Sequence, residues 1–178
     1  AAMKTTPAPA EREPATNEAG CDVRAGFDAV IALPFGPFGI HARDGVLQEL
    51  TFLPPGTALL DPRNATAGAA AHALRAWIED PDEPFPVPLA VRGTPFRERV
   101  WAAIRAIPRG RTASYGELAV RLGSAPRAVG QACGANPFPL VVPCHRVTAA
   151  HGLGGFANAR EGWLLEVKRW LLAFEGAL

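Results

Sequence analysis

The sequence lacks the features of a membrane or secreted protein. Across its 178 residues, no apolar run approaches the roughly 18 residues that suggest a membrane-spanning helix. It starts AAMKTTPAPAEREPATNEAG, which is polar and has no apolar core of the kind a signal peptide carries. We therefore expect one globular domain or two small ones, a disordered tail over residues 1–22 and no membrane partner.

Cysteine is scarce as well, and this excludes two further classes of protein. Cys21, Cys133 and Cys144 are too few, and odd in number, for a disulfide framework. They fit free thiols in a reducing compartment, so we expect a cytoplasmic location. Cys21, His41 and His72 are too scattered for zinc ligands, and we expect no metal site.

Positive charge is scarce in the first half of the chain and concentrated in the second. Residues 94–178 contain eleven Lys or Arg and five Glu, a net charge of +6, whereas residues 1–93 carry a net charge of −5. The pattern indicates that only the second half meets a polyanion such as nucleic acid. Chance and solvated arginines would give the same count.

The first half is predicted to form strands and one helix. FDAVIAL and VLQELTFL, between residues 27 and 53, are apolar-rich, and Asp44-Gly45 before the second of them is a strong hairpin signal. The Ala-rich residues 65–78 have helical spacing. Four prolines between Pro81 and Pro88 then predict a linker. We place the boundary near residue 92, with domains over 23–92 and 93–178.

The second half is predicted to be mostly helical. Thr94 can cap a helix that has Pro95 at its first position. Ser114 and Glu117 have the spacing of a capping box for the next helix, which runs to about Leu122.

A helix-turn-helix is predicted from the residues that follow. Gly123 turns the chain, and Ser124 is predicted to cap a second helix that runs to about Cys133. Arg127 and Gln131 project polar groups from one slim face, which suits a narrow minor groove better than base reading in the major groove. A small-residue helix packed inside the domain is the alternative. The remaining DNA-facing candidates are Ala125, Ala128 and Gly130.

VVPCHRV contains a cysteine next to a histidine. Residues 140–142 are predicted to be a short apolar strand that Pro143 ends. Cys144 would then lie where a buried strand meets a loop, a common place for a reactive group.

The neighbours of Cys144 suggest how its thiol would be activated. His145 could take the proton and Arg146 could favour the thiolate. Adjacent side chains in an extended chain point apart, so we expect a bridging water rather than a direct bond. A third group should orient the histidine, and Glu175 is one candidate that spacing alone cannot select. On this chemistry alone, an inert thiol is the more frequent outcome.

The residues around Cys144 resemble the signature of the alkylguanine-DNA alkyltransferases, the methylated-DNA–protein-cysteine methyltransferases. The resemblance implies an α+β fold, with an N-terminal ribonuclease-H-like small β-sheet plus helix and a C-terminal, mostly helical, winged-helix-like domain. The first half matches the family only loosely. The matching segments cover nearly all of residues 94–178 in the family's order: FRERVWAAIRAIPRGRTASYGELA, PRAVGQACGANP, VPCHRV and KRWLLAFEG.

The resemblance implies direct-reversal DNA repair. Cys144 would take an alkyl group from O6 of guanine, or O4 of thymine, and keep it as a thioether, so each molecule would act once. His145 would be a base acting through a water, and Glu175 would orient His145. Asn136 would brace the turn before the cysteine. Tyr115 would press on the target phosphate, help to rotate the nucleotide and donate to the flipped base.

The resemblance also implies the partner. The partner would be double-stranded DNA, bound through the minor groove without sequence preference. Arg127 would take the place of the extruded base in the stack. Without DNA, the protein would be a monomer. The main-chain carbonyls of Cys144 and Val147 would accept from the guanine amine. No cofactor and no metal are implied, because the thiolate does the chemistry.

The loop before the last helix departs from the family pattern. Members commonly have glycine, tyrosine, a small residue, two glycines and leucine there, whereas this chain has GGFANAREGWLLEVKRW. Phe156 takes the tyrosine position, and several extra residues precede Lys168, which we expect to lengthen the last helix. Phe156, Ala157 and Asn158 are predicted to form one wall of the base pocket, with a main-chain donor near O6 at Ala157 or Asn158.

Three other functions stay open at this point. A lesion-binding sensor would flag alkylated bases without repairing them, but such relatives lack the cysteine. A thiol-based helix-turn-helix regulator would bind a specific DNA sequence, against which the small-residue helix argues. A Cys-His hydrolase is least favoured, because nothing marks an oxyanion site.

Overall fold

The computed structural model describes residues 24–178. The predicted tail, residues 1–22, lies outside the described residues, as does Cys21. No helix within residues 24–178 combines the length and apolar character needed to cross a membrane. The elements, in chain order, are the strands Ala29–Leu33 (β1), Gly36–Arg43 (β2) and Val46–Phe52 (β3), the helices Ala65–Glu79 (α1) and Pro95–Arg105 (α2), the strand Ala113–Ser114 (β4), the helices Tyr115–Leu122 (α3) and Pro126–Gly134 (α4), a 3₁₀ turn Cys144–Arg146, the strand Val147–Thr148 (β5) and the helix Trp163–Phe174 (α5).

The first three strands form an antiparallel sheet in sequence order, and α1 packs on it. The predicted hairpin is confirmed: Asp44 and Gly45 join β2 to β3 with φ values of 54° and 78°, the left-handed pair that a tight turn needs. Asn64 caps α1, accepting from the Ala67 amide at 2.8 Å. Small side chains let α1 approach the sheet closely, and its buried residues are Ala67, Ala70, Ala71, Ala73, Leu74 and Trp77.

The caps predicted in the second half are confirmed. Thr94 accepts from the Arg97 amide at 3.2 Å. The Glu117 amide donates to Ser114 at 3.1 Å, and the Ser114 amide donates to the Glu117 carboxylate at 2.6 Å. These reciprocal bonds start α3 and place Tyr115 at its first position.

The cap predicted for α4 is wrong. The N-cap residue is Ala125 rather than Ser124, and it makes no side-chain cap bond. Pro126 occupies the first helical position, where its missing N–H costs nothing, and this moves the cap past the serine. The helix-turn-helix itself stands, because Gly123 turns the chain in the left-handed conformation between α3 and α4.

The strand predicted at residues 140–142 is also wrong. Leu140 has a φ of 74°, and the Val142 amide donates back to the Phe138 carbonyl at 2.8 Å. Pro139 and Pro143 flank this turn and lack the N–H groups that a sheet ladder needs. The segment therefore closes on itself and delivers Cys144 into the 3₁₀ turn.

The two halves of the chain share one core, and the first half packs against the segment that leads to Cys144. The Leu50 amide on β3 donates to the Pro137 carbonyl at 2.8 Å. The Trp77 ring of α1 stands edge-on to the His145 ring, with centroids 6.2 Å apart. The sheet and α1 therefore support the reactive segment from behind.

Candidate active site

Cys144 lies at the edge of a cleft with 8% of its surface exposed. Asn136 holds the segment in place: its side-chain amide donates to the Val142 carbonyl at 2.9 Å and to Cys144 Sγ at 3.1 Å. Its Oδ1 accepts from the Phe138 amide at 2.9 Å. An N–H directed at sulfur favours the thiolate over the thiol.

Three buried ionisable side chains form a cluster behind Cys144. Glu175 Oε1 lies 2.7 Å from one Arg146 nitrogen, and Oε2 accepts from Arg146 Nε at 3.0 Å. Arg146 also donates to the Ile107 carbonyl at 2.8 Å. Glu175 Oε1 is 3.0 Å from His145 Nε2, yet that nitrogen has no aligned hydrogen-bond partner. The contact is thus close enough for an ion pair, and a small ring rotation would make it a hydrogen bond.

The cluster fixes the charges of its members. Burial opposes ionisation of Glu175, but His145 and Arg146 outweigh burial and lower the pKa of Glu175 to about 2. Burial is the main cause that lowers the pKa of His145, and the charge of Glu175 opposes this lowering. At neutral pH the histidine is therefore neutral and able to accept a proton, with a carboxylate beside it to stabilise the resulting charge.

Cys133, in the last turn of α4, lies next to Cys144. Cys144 Sγ is 3.8 Å from the Cys133 carbonyl oxygen. The neighbouring Cys133 thiol and burial raise the pKa of Cys144, against the effects of Asn136 and Lys168. The neighbouring Cys144 thiol lowers the pKa of Cys133. Resting Cys144 is therefore a thiol, and its proton must be removed before it can react.

No hydrogen bond joins the Cys144 thiol to the His145 ring among the described residues. The polar atoms that contact Sγ belong to Asn136 and Cys133. A water between Cys144 and His145 stays a prediction.

Tyr115 faces the cleft from the start of α3. Its hydroxyl donates to the Gly155 carbonyl at 3.2 Å. Burial, and then the charges of Cys133 and Cys144, raise the pKa of Tyr115 to about 12. The phenol therefore keeps its proton at neutral pH and is available as a donor.

The cleft above Cys144 has a volume of about 580 Å³. Val147 is buried, and its carbonyl already accepts a hydrogen bond from Lys168. Ala125 and Ala128 lie at the start of α4, outside the cleft lining. The sequence-predicted residues that do line the cleft are Tyr115, Arg127, Gly130, Gln131, Cys144, Phe156, Ala157 and Asn158.

The cleft wall opposite α4, formed by Phe156, Ala157 and Asn158, has a left-handed backbone at two residues that are not glycine. Ala157 and Asn158 have φ values of 47° and 66°, in the region that favours glycine. The Asn158 side chain donates to the Gly134 carbonyl at 2.9 Å, tying the wall to the end of α4. A Cβ on Gly134 would collide with Asn158 Oδ1, so this close approach requires glycine.

Ala157→Gly is expected to stabilise the protein slightly. Removing Cβ relieves the left-handed strain, about 1 kcal/mol, and part of the gain is offset by the greater freedom of glycine in the unfolded chain. Urea unfolding measures the change. Ala159→Gly is the matched control, because Ala159 is not in the left-handed region; it should destabilise. A loss of stability in Ala157→Gly equal to the loss in the control would contradict this account.

Lys168 holds the loop that leads into this wall through hydrogen bonds to main-chain carbonyls. It is fully buried in α5, and its Nζ donates to the carbonyls of Val147 at 2.7 Å, Leu153 at 2.6 Å and Gly155 at 2.8 Å. Burial lowers the pKa of Lys168 to about 8, while the charges of the two thiols raise it. All three donors of the ammonium group are therefore used to hold loop carbonyls.

Lys168→Met is expected to cost about 3 kcal/mol or more of unfolding free energy, because one buried and two part-buried carbonyls lose a charged donor. Urea denaturation checks this. Arg169→Met is the control one residue along: Arg169 is exposed and pairs with Glu166 at the surface, a contact worth under about 1 kcal/mol. Equal losses in the two variants would show that the lysine does not anchor the wall.

Comparison of this chain with known proteins identifies the family to which it belongs. The family model described as the DNA-binding domain of 6-O-methylguanine DNA methyltransferase matches residues 95–177. A methylated-DNA–protein-cysteine methyltransferase of Mycolicibacterium paratuberculosis is 41% identical over 150 residues, covering 80% of this chain and 87% of that protein. The chain belongs to the methylated-DNA–protein-cysteine methyltransferase family.

Solved structures of methyltransferases in this family share the fold. The crystal structure of Mycobacterium tuberculosis OGT in complex with DNA matches with a TM-score of 0.66 at 38% identity, over 82% of this chain and 90% of that one. The O6-methylguanine-DNA methyltransferase of Pyrococcus kodakaraensis matches with a TM-score of 0.63 at 27% identity, over 83% and 96% of the two chains. The predicted α+β fold class is confirmed.

Sequence reasoning missed part of this methyltransferase site. It assigned Arg146 to the thiolate, whereas the structure pairs Arg146 with Glu175. It did not foresee the roles of Cys133 and Lys168. A signal for Lys168 was present, because Lys168 and Glu175 share the face of α5 that holds Leu171 and Leu172, and charged residues in an apolar stripe indicate a buried polar cluster. Arg160, which also lines the cleft, carried no such signal.

Proposed function

We propose that the protein repairs alkylated DNA directly, moving the alkyl group from O6 of guanine, or O4 of thymine, onto Cys144. The observation that carries this is a cysteine at the edge of an open cleft, with Asn136 on its sulfur and the buried pair of His145 and Glu175 behind it. Loss of O6-methylguanine from a duplex, one lesion per protein molecule, tests the proposal. Repair of many lesions per molecule would contradict it.

The chemical step uses groups already in place. His145 takes the Cys144 proton through a water, and Glu175 stabilises the imidazolium. The sulfur attacks the alkyl carbon, an S–C bond forms and the C–O6 bond breaks, leaving its electron pair on the base. Tyr115, whose phenol stays protonated, donates a hydrogen bond to the departing base. The product is a stable thioether, so the protein acts once.

The lesion must leave the duplex to reach Cys144, since the alkylated atom is inaccessible inside it. Arg127 and Gln131 are exposed on the cleft side of α4. The small residues Ala125, Ala128 and Gly130 keep the helix slim, which favours close approach to a minor groove. The net charge of +6 on residues 94–178 supplies phosphate affinity without sequence preference.

Arg127→Ala is expected to slow repair of duplex DNA by about tenfold or more, because the few kcal/mol spent on unstacking the base are no longer offset by the arginine. Repair of a single-stranded lesion should fall less, since little stacking must be broken. Single-turnover rates on both substrates measure this. Arg105→Ala, which removes an exposed arginine outside the cleft, controls for lost charge. Equal slowing on both substrates would contradict the role of Arg127 in base extrusion.

We also propose the organisation around this activity. The chain divides near residue 92 into a supporting domain, residues 23–92, and a DNA-binding and transfer domain, residues 93–178. A protein that meets one lesion in one cleft needs no second copy, so we propose a monomer without DNA. We also propose a cytoplasmic location of the bacterial type, close to the DNA.

A further inference from the structure

The repair reaction needs one thiol, but the cleft holds two. Cys133 and Cys144 both line it, so a small reagent that enters meets both sulfurs. They are eleven residues apart in sequence, and Cys144 Sγ lies 3.8 Å from the Cys133 carbonyl. A single buried cysteine usually packs as a small apolar side chain, whereas two adjacent thiols can react with each other.

The position of both cysteines is fixed by the fold. Cys133 sits in the last turn of α4, and Cys144 starts the 3₁₀ turn. Asn136 connects the two segments through its bonds to Val142 and Cys144. The disulfide requires a side-chain movement that brings the two sulfurs to the S–S bond length of about 2.05 Å. The ammonium group of Lys168 is near both thiols and favours an ionised sulfur.

We propose that Cys133 is a modification site, which forms a reversible disulfide with Cys144 when a hydroperoxide enters the cleft. The peroxide O–O bond breaks as one sulfur is oxidised to a sulfenic acid and one molecule of water, or of alcohol, leaves. The second sulfur attacks the first, so that an S–S bond forms and the S–O bond breaks. The hydroxyl group of the sulfenic acid combines with the proton of the second thiol and leaves as water. The two electrons that the thiols lose are those that reduced the peroxide.

The disulfide would spare Cys144 from irreversible oxidation. A sulfenic acid without a partner thiol proceeds to sulfinic acid, which thiol reductants do not reverse. With Cys133 beside it, Cys144 stops at the disulfide, unable to accept an alkyl group until it is reduced. This effect on repair rests on the proposed function, whereas formation of the disulfide does not.

The test is a peptide mass. Full-length protein is treated with hydrogen peroxide until intact mass shows half of the chains oxidised, then denatured, blocked with N-ethylmaleimide and digested with trypsin. Cleavage after Arg127 and Arg146 leaves both cysteines in one peptide, residues 128–146. In the oxidised half of the chains, we expect this peptide to be lighter by two hydrogens and free of maleimide, and to take up two maleimides after dithiothreitol. Two maleimides on this peptide in all chains without reduction, or a disulfide to Cys21, would overturn the proposal.

Two variants make the test specific. After peroxide treatment, Cys133→Ser should carry Cys144 as sulfinic acid. Dithiothreitol should then restore little of the transfer activity that this variant has before treatment. Cys21→Ser should behave like the original protein. Equal recovery of the original protein and Cys133→Ser would overturn the protective role. If untreated protein transfers no alkyl group, the proposed function fails, and the peptide mass still decides whether the disulfide forms.

Discussion

Cys144→Ala is expected to abolish transfer of the methyl group from O6-methylguanine in duplex DNA. The alanine has no sulfur to attack the alkyl carbon, and His145 cannot replace it because Glu175 and the Trp77 ring enclose the buried imidazole. The rest of the cleft lining and the exposed face of α4 are unchanged, so binding to lesion-containing DNA should persist. Single-turnover transfer and a DNA-binding titration on the same sample measure the two effects.

Cys21→Ser is the control for this loss, since it removes a thiol and leaves both cleft cysteines in place. It should transfer as the original protein does. Residual transfer by Cys144→Ala at a rate comparable to that of the control would place the acceptor elsewhere. Tight lesion binding without transfer by the original protein would instead favour the sensor function.

Glu175→Gln is expected to slow transfer by about 10² to 10⁴-fold, the usual contribution of a positioned base. The amide cannot stabilise the imidazolium, and it lowers the pKa of His145 further, because the carboxylate is the group that opposes burial. The acid limb of the rate–pH profile should move to lower pH. Removing the carboxylate also leaves the buried guanidinium of Arg146 without its counter-charge, a loss of about 3–5 kcal/mol in stability.

The pH dependence of stability separates this cluster from a surface ion pair. The pKa of Glu175 falls from 4.5 to about 2 on folding, so its stabilisation is complete above pH 4.5 and is lost as the pH falls towards 2. The shift corresponds to about 3 kcal/mol. Glu166→Gln, which removes an exposed carboxylate on α5, should retain this acid dependence, whereas Glu175→Gln should lose it. The same acid dependence in both variants would contradict a buried cluster.

The parts of the fold that could be predicted from the sequence are set by neighbouring residues. The Asp44-Gly45 turn, the Thr94 cap and the capping box of Ser114 and Glu117 each depend on fewer than five consecutive residues, and all are confirmed. The errors arose where proline changed local hydrogen bonding. Pro126 moved the cap of α4, and the prolines around Leu140 turned a predicted strand into a closed turn.

The site could be predicted only where a motif placed residues side by side. Cys144 and His145 are adjacent in the chain, but the Arg146 and Glu175 pair spans 29 residues, and no local pattern selects it. The proximity of Cys133 to Cys144 depends on how α4 packs beside the 3₁₀ turn. Ala157 and Asn158 line the cleft, but the left-handed backbone of this wall and its anchor at Lys168 appear only in three dimensions.

The most direct test of the central claim is the mass of the peptide that spans residues 128–146 after incubation with duplex DNA containing O6-methylguanine. Because this peptide holds two cysteines, fragmentation must assign the added group. The account predicts a gain of one CH₂ unit on Cys144, none on Cys133, and no further gain with excess DNA. An unmodified peptide from folded protein that has bound the duplex, or a methyl group on Cys133, would contradict it.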